Sequence, residues 1–428
     1  MELQLLYLLL CMTLLGAATG IFTGLVPGIH VNTLAVLMLS SYPLLESQLS
    51  PLAPPGWAPL LVASWVVSAS VVHSFVDFVP SVFLGVPSPE EVLNVLPGHR
   101  MLLDGRGVDA VSASAVGSLL GALVAGALSL PLILALTTEM EGMLRAATPY
   151  VIVATVLLLL LREDPGHDRR WAMLLMTLSG GLGYLCMSAR LPEWQVLPGG
   201  DVMLPLLTGL FGLPAMLLSS RGGPLPEQDM PERVLGRPMP ALKGIFAGAV
   251  VGWFPGITAT AGSALASVSS PERVPERFIS MVASVGSAST VFSLLTLAIT
   301  GNGRSGTMIV VGDLMGDSLP GPGMFCFCVL TLVVLAASLL GYLATQASGR
   351  AMARRMGGMD LGRVVKLVIV FMVALVALMT GPSGLLVMAA GTVLGLLPTA
   401  VGVNRVHLAA CMLLPVLLFY TGLDPMSI

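Results

Sequence analysis

Residues 16–29 read GAATGIFTGLVPGI, and residues 244–257 read GIFAGAVVGWFPGI. Each stretch carries three glycines four residues apart, followed by a Pro-Gly-Ile sequence. Six positions match at one constant spacing: Gly16 with Gly244, Gly20 with Gly248, Gly24 with Gly252, Pro27 with Pro255, Gly28 with Gly256 and Ile29 with Ile257. Proline removes a helical hydrogen bond and glycine lets the chain turn, so each stretch predicts a helix interrupted after its third glycine. The repetition predicts two homologous halves.

The composition predicts that these interrupted helices lie in a membrane. Of the 428 residues, 55% are hydrophobic and 10% are charged, and the mean hydropathy is +0.92. Apolar runs such as 151–161 and 329–344 recur between short charged segments. Because about 20 apolar residues span a bilayer as a helix, the sequence predicts an all-α polytopic membrane protein. Residues 1–20 lack the positive start of a secretory signal, and we expect them to stay in the mature fold.

Two weaker similarities extend the repeat. The sequence SASVVHSF at 68–75 resembles SASTVFSL at 287–294, and MTLSGGLGYL at 176–185 resembles VMAAGTVLGLL at 387–397. A charged, proline-rich segment separates the two halves. The predicted units are a first membrane repeat at 1–218, a cytoplasmic linker at 219–239 and a second membrane repeat at 240–428.

The positive charges indicate that the second repeat is inverted relative to the first. Of the 20 Lys and Arg residues, 17 fall in six places, and all six can lie on the cytoplasmic side if each half crosses the membrane about seven times. The six places are 98–109, 162–170, 219–243, 269–277, 348–366 and Arg405. An odd number of crossings inverts the second half. The sequence thus predicts two inverted-topology repeats whose Pro-Gly-broken helices meet near the midplane.

The two breaks are the predicted solute site. A helix that restarts after a break offers unpaired N–H groups and a positive dipole end, which suit a carboxylate or a phosphate. Short polar side chains follow both breaks. The predicted substrate-binding residues here are Pro27, Gly28, Ile29, His30, Asn32, Thr33, Pro255, Gly256, Thr258, Thr260 and Ser263. Two simpler explanations stay open: the glycines can serve close helix packing, and the Pro-Gly pairs can be plain kinks.

Ionisable and polar residues inside the apolar segments form a second set of candidates. These are Asn302, Arg304 and Ser305 for an anionic solute, and Ser74 and Asp77 for the coupling cation. A charge inside the membrane is costly, so it needs a partner, a polar cavity or a solute. Asp77 and Arg304 can instead form a structural ion pair. His73 can be a hydrogen-bonded interior residue or a proton relay.

The sequence predicts neither an enzyme nor a metal site. The five cysteines lie in apolar segments without metal-site spacing, and the HExxH and GxSxG motifs are absent. We expect no catalytic residue and no cofactor other than a coupling ion, either Na⁺ or H⁺.

The breaks and one long loop resemble a known family. GLVPGI at 24–29, GWFPGI at 252–257 and VDFVPSVFLGVPSPEEVLNVLPGHRMLLDGRG at 76–107 are similar to the large membrane subunit of tripartite tricarboxylate transporters, the TctA family. The resemblance covers essentially the whole chain, in a compact form similar to the family's archaeal members. It implies a permease that receives citrate or a related carboxylate from an extracytoplasmic solute-binding protein. It further implies a cation gradient as the driving force and a small four-helix membrane subunit alongside.

Together these observations predict a multi-pass protein of the cell membrane that is a secondary active transporter. Its expected solute is a small organic anion, a di- or tricarboxylate, moved by cation-coupled alternating access. Its expected partners are that anion, membrane lipid and the two accessory proteins, and nucleic acid is not expected. The alternative is a polyprenyl-phosphate translocase, because such carriers also use paired breaks and a half-helix end beside an arginine suits a phosphate.

Overall fold

The computed structural model describes residues 2–26, 29, 31–85, 92–135, 140–188, 202–219, 225–230, 238–254, 257–269, 274–316 and 324–423. Most of the residues in these ranges are helical, apart from turns and the segment 225–230, and none of them lies in a β-strand. The first half contains α1 (Glu2–Leu25), α2 (Val31–Ser40), α3 (Tyr42–Leu49), α4 (Ala58–Val76), α5 (Phe78–Leu84), α6 (Val92–Leu103), α7 (Gly107–Ala135), α8 (Met140–Leu161), α9 (His167–Ser188), α10 (Met203–Leu207), a π-helical turn (Thr208–Gly212) and α11 (Leu213–Ser219). The second half contains α12 (Pro238–Trp253), α13 (Ala259–Ser269), α14 (Pro275–Thr300), α15 (Gly306–Met315), α16 (Met324–Met356), α17 (Leu361–Val401), a 3-10 turn (Arg405–Ala409) and α18 (Ala410–Thr421).

Eight helices in the described part of the chain are long and apolar enough to cross a membrane. They are α1, the continuous pair α4–α5, α7, α8, α9, α14, α16 and α17, and five shorter apolar helical segments accompany them. The pair α4–α5 and α14 are the most deeply buried. The surrounding helices expose large apolar side chains such as Leu6, Leu157 and Leu332, as expected of a surface that meets lipid. The prediction of an all-α, multi-pass membrane protein is confirmed.

The repeated glycines pack two helices together in each half. A Cβ atom added at Gly20 of α1 would lie 2.6 Å from the Ala69 carbonyl oxygen of α4. In the second half, a Cβ at Gly248 of α12 would lie 2.8 Å from the Val285 carbonyl oxygen of α14. Real Cβ atoms do not approach backbone so closely, and small residues permit this contact between helices. The packing explanation for these glycines therefore holds in the structure.

This packing corrects the register of one predicted repeat. Gly20 faces Ala69 and its equivalent Gly248 faces Val285, so Ser68 corresponds to Ser284. The sequence similarity had paired Ser68 with Ser287, three residues further along. Three residues make nearly one helical turn, so serines spaced by three stay on one face and sequence alone cannot choose between the two registers. In the structural register Arg304 corresponds to Ser88 and not to the neighbourhood of Asp77.

Left-handed glycines at the ends of the two central helices agree with the structural register. Gly85 follows α5 with φ 67° and ψ 20°, and Gly301 follows α14 with φ 72° and ψ 0°. A residue with a Cβ atom is disfavoured at such a positive φ, which explains glycine at both positions. The α4–α5 pair and α14 are therefore equivalent helices with equivalent ends.

Within each half, the glycine-packed helices run in the same direction. Along α1, Gly16 lies beside Ser68 and Gly24 beside Val76, so the numbers rise together in α1 and α4. The same relation holds for α12 and α14. Parallel neighbours require the chain to return between them, and α2–α3 and α13 occupy that part of the chain in the two halves.

Contacts between the halves show how the equivalent helices are related. Helix α7 runs parallel to α14, because Gly117 lies against Ser280 and Gly121 lies against Ser284. In the corresponding contact of the other half, α16 runs parallel to α4: the Trp57 and Phe325 rings touch at 5.6 Å between centroids, and Gly341 lies against Phe75.

Helices α7 and α16 are antiparallel to each other. Ser112 Oγ of α7 donates to Gln346 Oε1 of α16 at 2.8 Å, whereas Gly126 packs on Leu335. Because α7 is parallel to α14 and α16 is parallel to α4, helices α4 and α14 run in opposite directions. How the two halves are oriented in the membrane stays a prediction.

A short piece of the predicted linker ties the two halves together. The Leu225 N–H donates to the Met359 carbonyl at 3.1 Å, and the Asp229 N–H donates to the Gly105 carbonyl at 2.8 Å. Gln228 accepts from the Gly107 N–H at 2.9 Å. These contacts fasten the turn between α6 and α7 to the turn between α16 and α17.

Candidate functional site

The first break begins where α1 ends at Leu25. The Ile29 N–H donates to the Val26 carbonyl at 3.3 Å, and α2 starts at Val31. The predicted residues Pro27, Gly28, His30, Pro255 and Gly256 lie outside the described residues. The geometry of both breaks is therefore given by the residues that flank them.

Asn32, the second residue of α2, reaches across to the second half of the chain. Its Oδ1 accepts a hydrogen bond from the Thr307 N–H at 3.1 Å, in the first turn of α15. Ser305 caps the same helix, because its Oγ accepts from the Met308 N–H at 3.3 Å. The Ser70 hydroxyl of α4 lies 3.3 Å from the Thr307 hydroxyl. We call Asn32, Ser70, Ser305 and Thr307 the central polar cluster.

The central polar cluster lies at mid-depth of the helix bundle. Ser70 is near the middle of the helix that runs from Ala58 to Leu84, one of the two most buried of the candidate spans. Arg304 immediately precedes the cluster and is half-buried. Its Nε atom is buried and has no hydrogen-bond partner among the described residues. The positive end of the α15 dipole and a guanidinium therefore lie together, an arrangement that favours an anion.

The other two predicted solute residues near this cluster differ in position. Thr33 is half-buried on α2. Asn302 is exposed and folds back on the end of α14, where its backbone N–H donates to Thr300 Oγ1 at 3.2 Å and its Nδ2 donates to the Thr300 carbonyl at 3.1 Å. Ser305 is exposed as well, and Arg304 between them is half-buried.

The predicted cation residues border the first break. His73 Nδ1 lies 3.0 Å from Thr23 Oγ1, in the last part of α1. Asp77 joins α4 to α5, and its backbone N–H donates to the His73 carbonyl at 2.9 Å. The Ser74 hydroxyl donates to the Val71 carbonyl at 2.9 Å. Asp77, His73 and Thr23 therefore meet along the α1–α4 contact.

The structural ion pair between Asp77 and Arg304, an alternative at the sequence level, is not found among the described residues. Asp77 packs beside Gly24 near the end of α1, whereas Arg304 precedes α15. The charge on Arg304 is thus not explained by that pairing.

The second break has a different environment. Thr258 Oγ1 accepts from the Ala261 N–H at 3.2 Å and so caps its own helix, α13. Ile257 and Ala261 pack in an apolar cluster with Ile152 and Leu413. The other two predicted residues, Thr260 and Ser263, are buried within α13. These residues lie against α8 and α18 and are not part of the central polar cluster.

The helix ends that flank the two breaks lie at different levels. Near the first break, Gly24 is level with Val76, towards the Leu84 end of its neighbour. Near the second break, Gly252 is level with Phe292, towards the Thr300 end of α14. Because α4 and α14 are antiparallel, these positions are displaced towards opposite ends of the bundle. The described residues therefore place the start of α15, and not the two helix ends, at mid-depth.

Sequence reasoning did not find Ser70, Thr307 and Thr23. Ser70 and Thr307 belong to segments 237 residues apart in the chain and meet only through the packing of α15 on α4. Their sequence signal was weak, because serine and threonine are frequent throughout the buried helices. Thr307 does lie two residues after the predicted Ser305.

No group of three or more His, Cys, Asp or Glu side chains that could hold a metal ion occurs in the described ranges. The arrangement offers hydrogen-bond donors, a cation and a helix terminus, which are groups for binding an anion and not for reacting with it.

Comparison with known proteins gives two matches. The sequence pattern of the family described as "Tripartite tricarboxylate transporter TctA family" matches residues 10–410. An uncharacterized protein of Methanocaldococcus jannaschii is 29% identical over 315 residues, which cover 71% of each chain. No solved structure matches the chain.

Proposed function

The chain belongs to the TctA family, the permease subunits of tripartite tricarboxylate transporters, and we propose from this that it moves a di- or tricarboxylate across the cell membrane by cation-coupled alternating access. Because the chain belongs to a transporter family, we expect its polar residues to serve transport and not catalysis. Family membership also favours the carboxylate over the lipid phosphate that the sequence had left open.

The observation that carries the proposal is the central polar cluster with Arg304. Asn32 and Ser305 fill hydrogen-bonding positions at the α15 N-terminus, at 3.1 Å to the Thr307 N–H and 3.3 Å to the Met308 N–H. Arg304 carries a positive charge, and its Nε atom has no hydrogen-bond partner among the described residues. A carboxylate can accept hydrogen bonds from the guanidinium and from hydroxyl groups at once. Ile29, Thr33 and Asn302 flank the proposed solute site.

The coupling cation is proposed to bind about two turns further along α4 than Ser70. Asp77 and Ser74 supply a carboxylate and a hydroxyl there, which suit either Na⁺ or a proton. Binding of a cation near Asp77 and of an anion near Arg304 would lower the net charge that has to cross the membrane, which is the electrostatic reason for coupling the two.

The opposite directions of α4 and α14 support alternating access by inverted repeats. In this proposal the segments that follow the breaks line the solute pathway, which opens alternately to the two sides of the membrane. In the second half these residues are Thr258, Thr260 and Ser263. The solute-binding protein and the small membrane subunit of the tripartite system are the proposed partners.

Reconstituted uptake tests the proposal. The purified chain in liposomes should accumulate radiolabelled citrate or another member of a di- and tricarboxylate panel under an imposed Na⁺ or pH gradient. Parallel vesicles that contain the small subunit and the binding protein show whether these partners are required. Absence of uptake for every member of the panel, with both partners present, would overturn the carboxylate assignment.

A further inference from the structure

A buried acid–base pair joins two distant parts of the chain on the side of the second break. His407 Nε2 lies 2.8 Å from Glu163 Oε1. The His407 side chain has no exposed surface and that of Glu163 is 16% exposed. The pair connects the turn after α8 to the 3-10 turn before α18. Neither residue takes part in the proposed solute or cation sites.

One nitrogen atom of this pair, His407 Nδ1, can bind a further proton. Glu163 Oε1 also accepts from the Asn404 N–H at 3.4 Å, as an ionised carboxylate does. His407 Nδ1 is buried and has no hydrogen-bond partner in the described part of the chain. A neutral imidazole that donates from Nε2 to the carboxylate has an unprotonated Nδ1, which is its basic atom. A proton from water can add to Nδ1, which leaves an imidazolium beside a carboxylate.

The pair is mechanically connected to α13, the helix that follows the second break. Arg162, the neighbour of Glu163, donates from Nη1 to the Ala264 carbonyl at 3.2 Å and to Ser267 Oγ at 2.8 Å. Val406, the neighbour of His407, packs in one apolar cluster with Ala264. Both sides of the pair therefore hold the same helix.

Other charged groups lie around the pair. The charged or titratable side chains on the adjoining turns and on the first turn of α9 are Arg162, Asp164, His167, Asp168, Arg169, Arg170 and Arg405. Arg169 donates to the Glu163 carbonyl at 3.1 Å, and Arg405 donates to Thr399 Oγ1 at 2.9 Å. The buried residues of α13 and of the second part of α17 carry no ionisable group, and the remaining neighbours are Tyr184 and Cys186 of α9 and Cys411 of α18.

We propose that Glu163 and His407 form a proton-binding site that couples proton movement to the position of α13. Without the proton on Nδ1, the neutral imidazole stays buried against the carboxylate and the two turns are held together. With it, a charged imidazolium is buried and its Nδ1–H has no acceptor among the described residues, which is costly, so the turns separate and admit water. The inference rests on the proposed transport function and makes H⁺ one of its coupled cations.

Hydrogen exchange of the purified chain in lipid nanodiscs tests the site without any solute. Exchange of the α13 peptide is compared with that of the α14 peptide in the same sample, from about pH 5 to pH 8, where histidine changes charge. We expect α13 to lose protection relative to α14 as the pH falls and His407 takes up its proton. Glu163→Gln and His407→Gln should remove this pH dependence. His167→Gln, an exposed histidine of the next turn, should leave it unchanged.

A pH-dependence that persists in both variants, or that is missing in the natural chain, would overturn the proposal. Thermal unfolding of each variant shows whether it is folded, and Glu163→Gln retains a hydrogen-bond acceptor if His407→Gln does not fold.

Transport measurements separate coupling from mere stabilisation. With citrate as the probe, uptake driven by a pH gradient should fall about tenfold or more in Glu163→Gln, the scale of typical coupling energies, while citrate–citrate exchange at equal pH persists. An equal loss of exchange would show a structural role and contradict the proposal. If the natural chain moves no citrate, the proposed function fails for this solute. The hydrogen-exchange measurement, which needs no solute, still decides whether the proton site exists.

Discussion

The two breaks share one packing framework and differ in chemistry. Each follows a helix that packs through three glycines on a parallel neighbour. The first break leads into Asn32, whose side chain bonds to α15 of the other half. The second leads into Thr258, which caps its own helix in apolar surroundings. The two halves thus share how the helices meet, while the polar groups of the proposed solute site lie on the side of the first break.

The largest expected effect tests whether the two halves are inverted at all. Single cysteines placed at Glu46 and Arg100, in a variant without the five native cysteines, should be labelled by an impermeant reagent from opposite faces of the membrane. Arg169 and Arg354 should be accessible from the same face as Arg100. If positions 46 and 100 were labelled from one face, the comparison of inverted halves would fail. Arg233 and Arg273 are expected on the face of Arg100, and Glu193 and Asp317 on the face of Glu46; these four positions lie outside the described residues.

The shared framework predicts equal damage in both halves. Gly20→Ala would place a Cβ atom 2.6 Å from the Ala69 carbonyl oxygen, and Gly248→Ala would place one 2.8 Å from the Val285 carbonyl oxygen. Each substitution should cost about 1–3 kcal/mol or more, because two backbones must separate. Thermal unfolding in detergent measures the loss.

The matched controls are glycines of the same fold with open surroundings. No described atom lies within 4 Å of a Cβ built at Gly181 or Gly286. Gly181→Ala and Gly286→Ala should keep or raise the melting temperature, since alanine favours the helix by about 1 kcal/mol. Damage in only one half would show that the two glycine stripes are not equivalent.

The fold class and the family could be predicted from the sequence, and close packing of the glycines was among the alternatives, because these depend on local periodicity and composition. The central polar cluster could not be predicted. The hydrogen bond between Asn32 and Thr307 joins residues 275 apart, and the pair Glu163 and His407 joins residues 244 apart. Such contacts depend on how α15 and α18 of one half pack against the other, which no local pattern encodes. The pairing of Ser68 with Ser287 that the sequence similarity predicted was wrong for a related reason: small residues recur at every helical turn, so several registers look alike.

The next effect concerns Arg304, which precedes the helix that Asn32 contacts. We expect Arg304→Gln to fold normally and to weaken carboxylate binding about 10- to 150-fold, the value of a hydrogen bond to a charged group of about 1.5–3 kcal/mol. Asp77→Asn should abolish the dependence of uptake on the cation gradient. Thermal stability and uptake are measured on both variants and on the double variant.

The double variant distinguishes solute binding from structural pairing. If Arg304 and Asp77 stabilised each other, each single substitution would destabilise the protein and the double one would restore much of the loss. We expect no such recovery, because the described residues show no ion pair between them. Recovery of both stability and transport in the double variant would contradict the assignment of Arg304 to the solute.

The smallest effect compares the two residues that follow the breaks. Asn32→Ala removes the acceptor of the Thr307 N–H, a neutral hydrogen bond that contributes about 0.5–1.5 kcal/mol of stability. We expect solute affinity to fall as well, about two- to tenfold, because this bond holds the start of α15, where the proposed solute site lies, against α2. Thr258→Ala removes a helix cap and should cost about 1 kcal/mol of stability while the solute affinity stays the same. Binding and unfolding of both variants are measured side by side, and unequal breaks require a loss of affinity in Asn32→Ala alone. If Thr258→Ala weakened binding as much as Asn32→Ala, the two breaks would contribute equally to the solute site, and the chemical difference between them would have no functional meaning.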